Sequence, residues 1–272
     1  MAARFQDPHT ETSRAFDGVA AIYDGPFGNN AAIQWMREHL WRAVERSLAP
    51  GSRLLDLGCG TGLDAAHFAA RGHAVVAVDS SREMVGRTAA RARELGLSGH
   101  ITALQVGVHE LERLEGERFD GIYSDLGPLN CVPDLSPVAR ACSALLPPDG
   151  AFIASVMGRL CPWETAFYLS RLHPRRAFLR LSHGGVPVGL NGGTVRTWYY
   201  LPGEFLSAFA PSFSVVSRRT LGLFLPPPYL IGGRQRMPRL ARALARLDDA
   251  LGGLPLLRGA GDHFLVVLRR RA

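Results

Sequence analysis

A chain of 272 residues is long enough for one large domain, or for a domain with a cap. Hydrophobic residues make up 47% and charged residues 20%, which excludes a disordered chain, and no apolar run reaches membrane-spanning length. The net charge of +7 is carried by arginines spread along the chain, with one run at Arg269-Arg270-Arg271, which argues against a nucleic-acid-binding stripe.

Met1 to Asp7 lack the apolar core of a signal peptide. Cys59, Cys131, Cys142 and Cys161 form no C-x-x-C pair, so neither a metal site nor a disulfide framework is expected. A cytoplasmic protein is the simplest expectation. The oligomeric state is not readable.

Phe16, Val19, Ala20 and Tyr23 keep helical spacing in residues 11–24. Residues 25–30 read as a loop. A helix is expected over 31–48, with Ile33, Met36, Leu40, Trp41 and Val44 on one face, and Pro50-Gly51 ends it. Arg37 on this helix is expected to be solvated, with contact to a ligand carboxylate as the alternative.

The chain is organised around residues 54–62 and Asp79. An apolar strand runs into a glycine turn and then a helix over 63–71, where Leu63, Ala66 and Phe68 point inward. His67 and His73 are expected at the surface or in packing. A second apolar strand, 74–78, ends on Asp79. Gly58, Gly60 and Gly62 can take positive φ and let a ligand lie against the backbone. A carboxylate at the strand tip can accept hydrogen bonds from both hydroxyls of a ribose. The stretch therefore predicts a nucleoside-bearing cofactor. A dinucleotide site wants G-x-G-x-x-G, with pyrophosphate on the helix N-terminus. Here no glycine stands three places after Gly60, and Asp56 inside the first strand would repel a pyrophosphate. It would suit a cofactor carrying an ammonium and a sulfonium.

These residues match hh(D/E)hGxGxG and resemble the first motif of the class I S-adenosylmethionine-dependent methyltransferases. The resemblance implies an α/β fold, a doubly wound, mostly parallel seven-stranded sheet whose last strand is antiparallel. It implies S-adenosyl-L-methionine as cofactor and S-adenosyl-L-homocysteine as product. It covers residues 10–156 well and 200–270 in outline. The pattern Phe16-Asp17-x-Val19-Ala20-x-x-Tyr23-Asp24 resembles the segment that closes over the cofactor in small-molecule members. That implies Tyr23 near the cofactor; a plain core aromatic is the other reading.

After Asp79, Ser80 is expected to cap a helix, with Glu83 completing a capping box. Met84 falls where the family packs an apolar side chain on the adenine, or is a core methionine. The third strand, 101–106, reaches Gly107-Val108. The family often has Gly-Asp there, so Val108 leaves the adenine to backbone groups, His109 or Glu110. The fourth strand, 119–125, leads into 126–132, the loop that the resemblance places beside the sulfonium and the acceptor. Ser124, Asp125 and Asn130 offer polar groups there, with Asp125 facing either the cofactor amino group or the acceptor. The loop is not Asn-Pro-Pro-Tyr, which argues against base or protein-amide acceptors. A helix over 135–146 and a fifth strand over 151–156 complete an alternation that calls for a parallel doubly wound sheet with its ligand at the switch point.

From residue 158 the composition changes, and three parts are expected: 1–157 with the lid and cofactor half, 158–200 as an inserted substrate cap, and 201–272 closing the sheet. A helix opens at Pro162, and 186–190 with 194–200 read as a hairpin. Trp163, Tyr168 and Trp198 head an aromatic load that suits an apolar or aromatic acceptor, and each could equally build a small cap core. His173 and His183 are the candidate general bases, with Glu164 behind them. A helix from 202 to 209, a strand at 213–220, a basic helix at 239–251 and a strand at 263–268 follow. The proline loop at 222–229 is expected to border the pocket. The expected reaction is methyl transfer to an oxygen or nitrogen of a small metabolite. A nicotinamide-dependent oxidoreductase, an RNA methyltransferase and a non-catalytic cofactor-binding module stay as alternatives.

Overall fold

The computed structural model describes residues 8–26, 28–190, 192–232, 236 and 238–272; the N-terminal residues 1–7 and the hairpin residue Asn191 lie outside these. Two helices come first, α1 (Pro8–Val19) and α2 (Ala31–Ser47). Then strands and helices alternate: β1 (Arg53–Leu57), α3 (Leu63–Ala69), β2 (Ala74–Asp79), α4 (Arg82–Glu94), β3 (Ile101–Gln105), β4 (Gly121–Ser124), α5 (Ser136–Leu145) and β5 (Ala151–Met157). Short 3-10 segments, Val108–Leu114 and Pro128–Cys131, follow β3 and β4. Next come α6 (Pro162–Ser170), α7 (Pro174–Ala177), the strands β6 (Val186–Leu190) and β7 (Gly193–Thr197), and α8 (Pro202–Phe209). The chain closes with β8 (Phe213–Leu221), α9 (Pro228–Ile231), α10 (Arg239–Leu251) and β9 (His263–Arg270).

Seven strands form one sheet in the order β3-β2-β1-β4-β5-β9-β8. The first five are mutually parallel, and β9 runs antiparallel between β5 and β8. Both faces of the central strands are buried, which explains their continuous apolar runs. Along β1, Leu55 and Leu57 enter a core with α5 and α8, where Phe152, Phe205 and Phe209 stack. Leu54 faces the other way, into a core with α2, α3 and α10. The chain moves outward from β1 to β3 and returns on the other side at β4, so the loops after β1 and β4 diverge and leave a crevice. The β6–β7 hairpin is a separate sheet, packed on α1 so closely that a Cβ on Gly193 would lie 2.9 Å from the Ala15 side chain.

One expected cap moves by a residue. Ser80 stays with the end of β2, where its carbonyl accepts the Ser13 hydroxyl (2.9 Å). Ser81 is the N-cap of α4, its Oγ accepting the Met84 N–H at 3.1 Å. Glu83 forms no capping box; its N–H, like the Ser81 hydroxyl, is taken by Asp17 of α1 (3.1 and 2.6 Å). A carboxylate arriving from a distant helix has displaced the local one.

Candidate active site

The turn after β1 is held by its own backbone. The N–H groups of Gly58 and Cys59 both donate to the Val78 carbonyl, at 2.8 and 2.9 Å. Gly58 has φ +78°, and a Cβ there would lie 2.3 Å from Pro128, so the loops after β1 and β4 can meet only over a glycine. At Gly60, φ +54°, the nearest heavy atom to such a Cβ is the Tyr23 ring at 3.9 Å. The backbone at Gly60 is therefore bare toward the cavity. Asp79 receives the Gly60 N–H on one oxygen (3.0 Å) and the Ser81 N–H on the other (2.8 Å). Burial raises its pKa, while these backbone donors oppose the rise.

The N-terminal segment lies across this turn and is tied down by polar contacts. Asp17 reaches α4 as described. Asp24 accepts the Thr61 hydroxyl at 2.6 Å and pairs with Arg91. Phe16 and Tyr23 meet edge to face with centroids 6.2 Å apart. Burial pushes the Tyr23 phenol up to about 12, so it stays protonated at neutral pH. The His9 ring stacks on His109 at 3.7 Å.

Beneath the segment lies a cavity of about 260 Å³. Its floor is charged. Arg37 of α2 pairs with Asp64 of α3, and the Trp41 indole donates to the same carboxylate at 2.7 Å. Burial works against the Arg37 charge, but Asp64 and Asp125 raise its pKa and keep it cationic. Asp125 stands at the end of β4, 7% exposed, and neither of its oxygens has a hydrogen-bond partner among the described residues. Burial first, and then the charge of Asp64, push its pKa to about 7 against the pull of Arg37. The lining also includes an apolar set, Phe16, Val132, Met157, Val188, Leu190 and Val195, of which Phe16 and Leu190 pack with Tyr23 and Met84.

The expected residues divide sharply. Tyr23, Gly58, Gly60, Asp79, Ser80, Met84, Val108 and Asp125 line the cavity. Gly62 does not; it packs on α4, where a Cβ would lie 2.8 Å from Thr88. Asp56 is interior, and burial and Asp64 push its carboxyl well above the usual carboxylate range. Ser124 donates to the Leu57 carbonyl at 2.9 Å and ties β4 to β1. Asn130 donates to the carbonyls of Met157 (3.1 Å) and Trp198 (2.6 Å) and accepts the Met157 N–H. It pins the cavity wall without facing the cavity.

The cap aromatics correct the expectation of an aromatic pocket. Trp163 is exposed, with its indole on the Phe224 carbonyl at 2.7 Å. Tyr168 lies under the Arg176 guanidinium at 6.0 Å, and Trp198 packs over Gly185. None of the three lines the cavity. His173 and His183 are exposed and also lie outside it. Glu164 is buried in an ion pair with Arg180 (2.7 Å). The proline loop folds onto α10 instead, where Asp248 collects the N–H groups of Leu223, Phe224 and Leu225 at 2.7–3.2 Å. The physical reason is common to these cases. An aromatic or proline-rich run is satisfied by any apolar surface, and here the nearest one is not the cavity.

Arg37 is the opposite case, buried where solvation was expected. Its signal was present: Ile33, Arg37, Leu40, Trp41 and Val44 form one helical stripe, and an arginine inside it is placed toward the core. The hairpin residues and Asp64 carried no comparable signal.

A family model described as a methyltransferase domain matches residues 54–150. The ubiquinone biosynthesis O-methyltransferase of Alkalilimnicola ehrlichii is 31% identical over 164 residues, 56% of this chain and 65% of that protein. Its counterpart in Azotobacter vinelandii is 32% identical, over 58% of this chain and 68% of that one. The chain thus spans about two thirds of the length of these relatives. Among solved structures, a putative S-adenosylmethionine-dependent methyltransferase from Listeria monocytogenes superimposes with TM-score 0.64 at 15% identity, over 88% of this chain and 98% of that one. The 1,6-didemethyltoxoflavin-N1-methyltransferase of Burkholderia thailandensis gives 0.59 at 22% identity, over 100% and 93%. These structures share the fold, the curated relatives share the sequence that builds it, and the chain belongs to the class I methyltransferases that use S-adenosylmethionine.

Proposed function

We propose that the chain moves the methyl group of S-adenosylmethionine to an oxygen or nitrogen of a small, largely apolar molecule held beneath the β6–β7 hairpin. The observation that carries this reading is one cavity whose lining joins Asp79, the bare Gly60 backbone, Arg37 and Asp125 with hydrocarbon side chains from the hairpin, α1 and the loop after β4.

The lining fits the cofactor group by group. The Asp79 oxygens, each already holding one backbone N–H, keep lone pairs for ribose hydroxyls. Met84 and Val108 supply apolar surface for a purine. Arg37 suits an α-carboxylate, and the unpartnered Asp125 carboxyl suits an α-ammonium. When bound, S-adenosylmethionine supplies a methyl carbon on a sulfonium, already a good leaving group. The chain's own task is then to hold the acceptor in line and to exclude water. The tied-down N-terminal segment and the hairpin close over the cavity and serve the second purpose. His173 and His183 lie outside the cavity, and the histidines that line it are His9 and His109, stacked ring on ring.

Relatives named for ubiquinone biosynthesis, and a fold neighbour crystallised with bound 1,6-didemethyltoxoflavin and S-adenosylhomocysteine, support a small-molecule acceptor. We read residues 158–200 as the cap, with the hairpin as its covering part. Among the described residues no helix is long and apolar enough to cross a membrane; we read the setting as cytoplasmic. Calorimetry with S-adenosylhomocysteine, followed by transfer of labelled methyl to a panel of phenols, carboxylic acids and amines, tests the reading. Binding together with transfer to an apolar member is the expected result. Binding of neither donor nor product would overturn it.

A further inference from the structure

Helix α6 wears its apolar stripe outward. Trp163, Ala166 and Leu169, three residues apart, are exposed, while its one acid, Glu164, is turned inward onto Arg180. This inverts the amphipathic rule for a surface helix. The chain beyond continues the pattern. Leu172 is 89% exposed, and Phe178, Leu179 and Leu181 are exposed with it. Between them stand three exposed arginines, Arg171, Arg175 and Arg176.

Two neighbouring segments extend this face. Trp163 bonds the Phe224 carbonyl, and the Tyr229 hydroxyl donates to Glu164 at 2.8 Å, which brings up 222–232. A bridge between Leu160 and Ala260 brings up 252–261, where Leu256 is 97% exposed. Across 158–183, 222–232 and 252–261 the sequence holds one acidic residue, Glu164, and it is buried. Exposed hydrocarbon at this density marks a contact surface. Aromatic and aliphatic side chains interleaved with arginines, with no exposed acid, match the headgroup layer of an anionic bilayer. A second copy docking face to face would set these arginines against one another.

We propose that the α6–α7 face is a peripheral docking surface for an anionic lipid bilayer. It is distinct from the cavity, and its test is independent of the methyl-transfer reading. Co-sedimentation of the full chain with phosphatidylcholine vesicles, with and without phosphatidylglycerol, is the experiment. The chain partitions onto the anionic vesicles roughly tenfold better than onto neutral ones, and added salt reduces the difference. The double variant Leu172→Glu with Phe178→Glu loses vesicle binding, and Arg175→Glu with Arg176→Glu brings it down to the neutral-vesicle level. The far-ultraviolet circular dichroism spectrum and the melting temperature, measured on the same preparations, stay unchanged and show that the variants are folded. Absence of binding to either vesicle overturns the proposal, as does binding that the folded variants retain. A self-association abolished by Leu172→Glu with Phe178→Glu, without vesicle binding, gives the face to a second copy and also overturns it.

Discussion

The polar and the apolar parts of the cavity lining are built by different means. Among the polar groups, Asp79 is set by the amides of Gly60 and Ser81 and Arg37 by its pair with Asp64. The apolar wall is made by side chains from α1, the loop after β4, the end of β5 and the hairpin, held together by packing and by Asn130. Directional contacts tolerate little change. Packed hydrocarbon tolerates substitutions that keep its volume. On the proposed reading, substitutions in the hydrocarbon wall should change acceptor choice with less effect on cofactor binding.

The largest effect is expected where the polar part is most tightly balanced. Arg37→Met leaves Asp64 buried with only the Trp41 indole for support. Removing one member of a buried ion pair costs about 3–5 kcal/mol of folding stability. Urea denaturation should show that loss, together with weakened S-adenosylhomocysteine binding. A stability close to that of the parent would mean that the pair is not buried as described. Asp79→Ala comes next. Losing a charged hydrogen-bond partner costs about 1–3 kcal/mol, roughly 5- to 150-fold in affinity. Undiminished binding by calorimetry would remove Asp79 from the site.

The apolar part should answer differently. Val195→Trp narrows the wall without touching Asp79, Arg37 or Asp125. S-adenosylhomocysteine affinity should hold within about twofold while kcat/KM for the acceptor falls by about tenfold or more. Parallel losses in both would show that the two parts are coupled.

The same contrast explains what could be read in advance. The strand, the glycine turn and Asp79 are neighbours along the chain, or are joined by one helix, so their spacing reported their geometry. The alternation of strands and helices called for a parallel doubly wound sheet, while the antiparallel last strand came from the family resemblance. The wall around Val188, Leu190 and Val195 depends on how a hairpin folds back over α1, and no local pattern encodes that. Trp163 shows the converse error. Aromatic content was visible, but its direction was not, because direction is set by where α6 docks. Arg37 carries a visible signal: its position in an apolar helical stripe places it toward the core.

Asp125 sharpens the comparison through pH. Its native pKa near 7 lies above the ordinary value of about 3.9, so between these limits the folded state holds a proton that the unfolded chain has lost. This contribution to stability is therefore complete below about pH 4 and is lost as pH rises through about 7. Asp125→Asn removes the penalty. The free variant should melt above the parent on the alkaline side, at roughly 2–4 °C for each kcal/mol relieved, with the difference vanishing toward acid. Cofactor affinity should move the opposite way. If Asp125 holds an ammonium, S-adenosylhomocysteine binds the parent more tightly as pH rises through about 7, and the variant loses that dependence. A pH-independent affinity in the parent would place the ammonium elsewhere.

The smallest effect is expected at the residues that sequence alone made the obvious bases. His173 has its Nδ1 turned to the Arg171 carbonyl at 2.5 Å, and both it and His183 face water outside the cavity. A general base contributes only from within hydrogen-bond reach of the proton it removes, where it is worth about 10²–10⁴ in rate. The double variant His173→Ala with His183→Ala should therefore keep kcat within about twofold on any acceptor that the parent methylates. A fall of about a hundredfold with unchanged S-adenosylhomocysteine affinity would mean that the segment around α7 swings over the acceptor during turnover, and the wall described here would then be only part of the closed site.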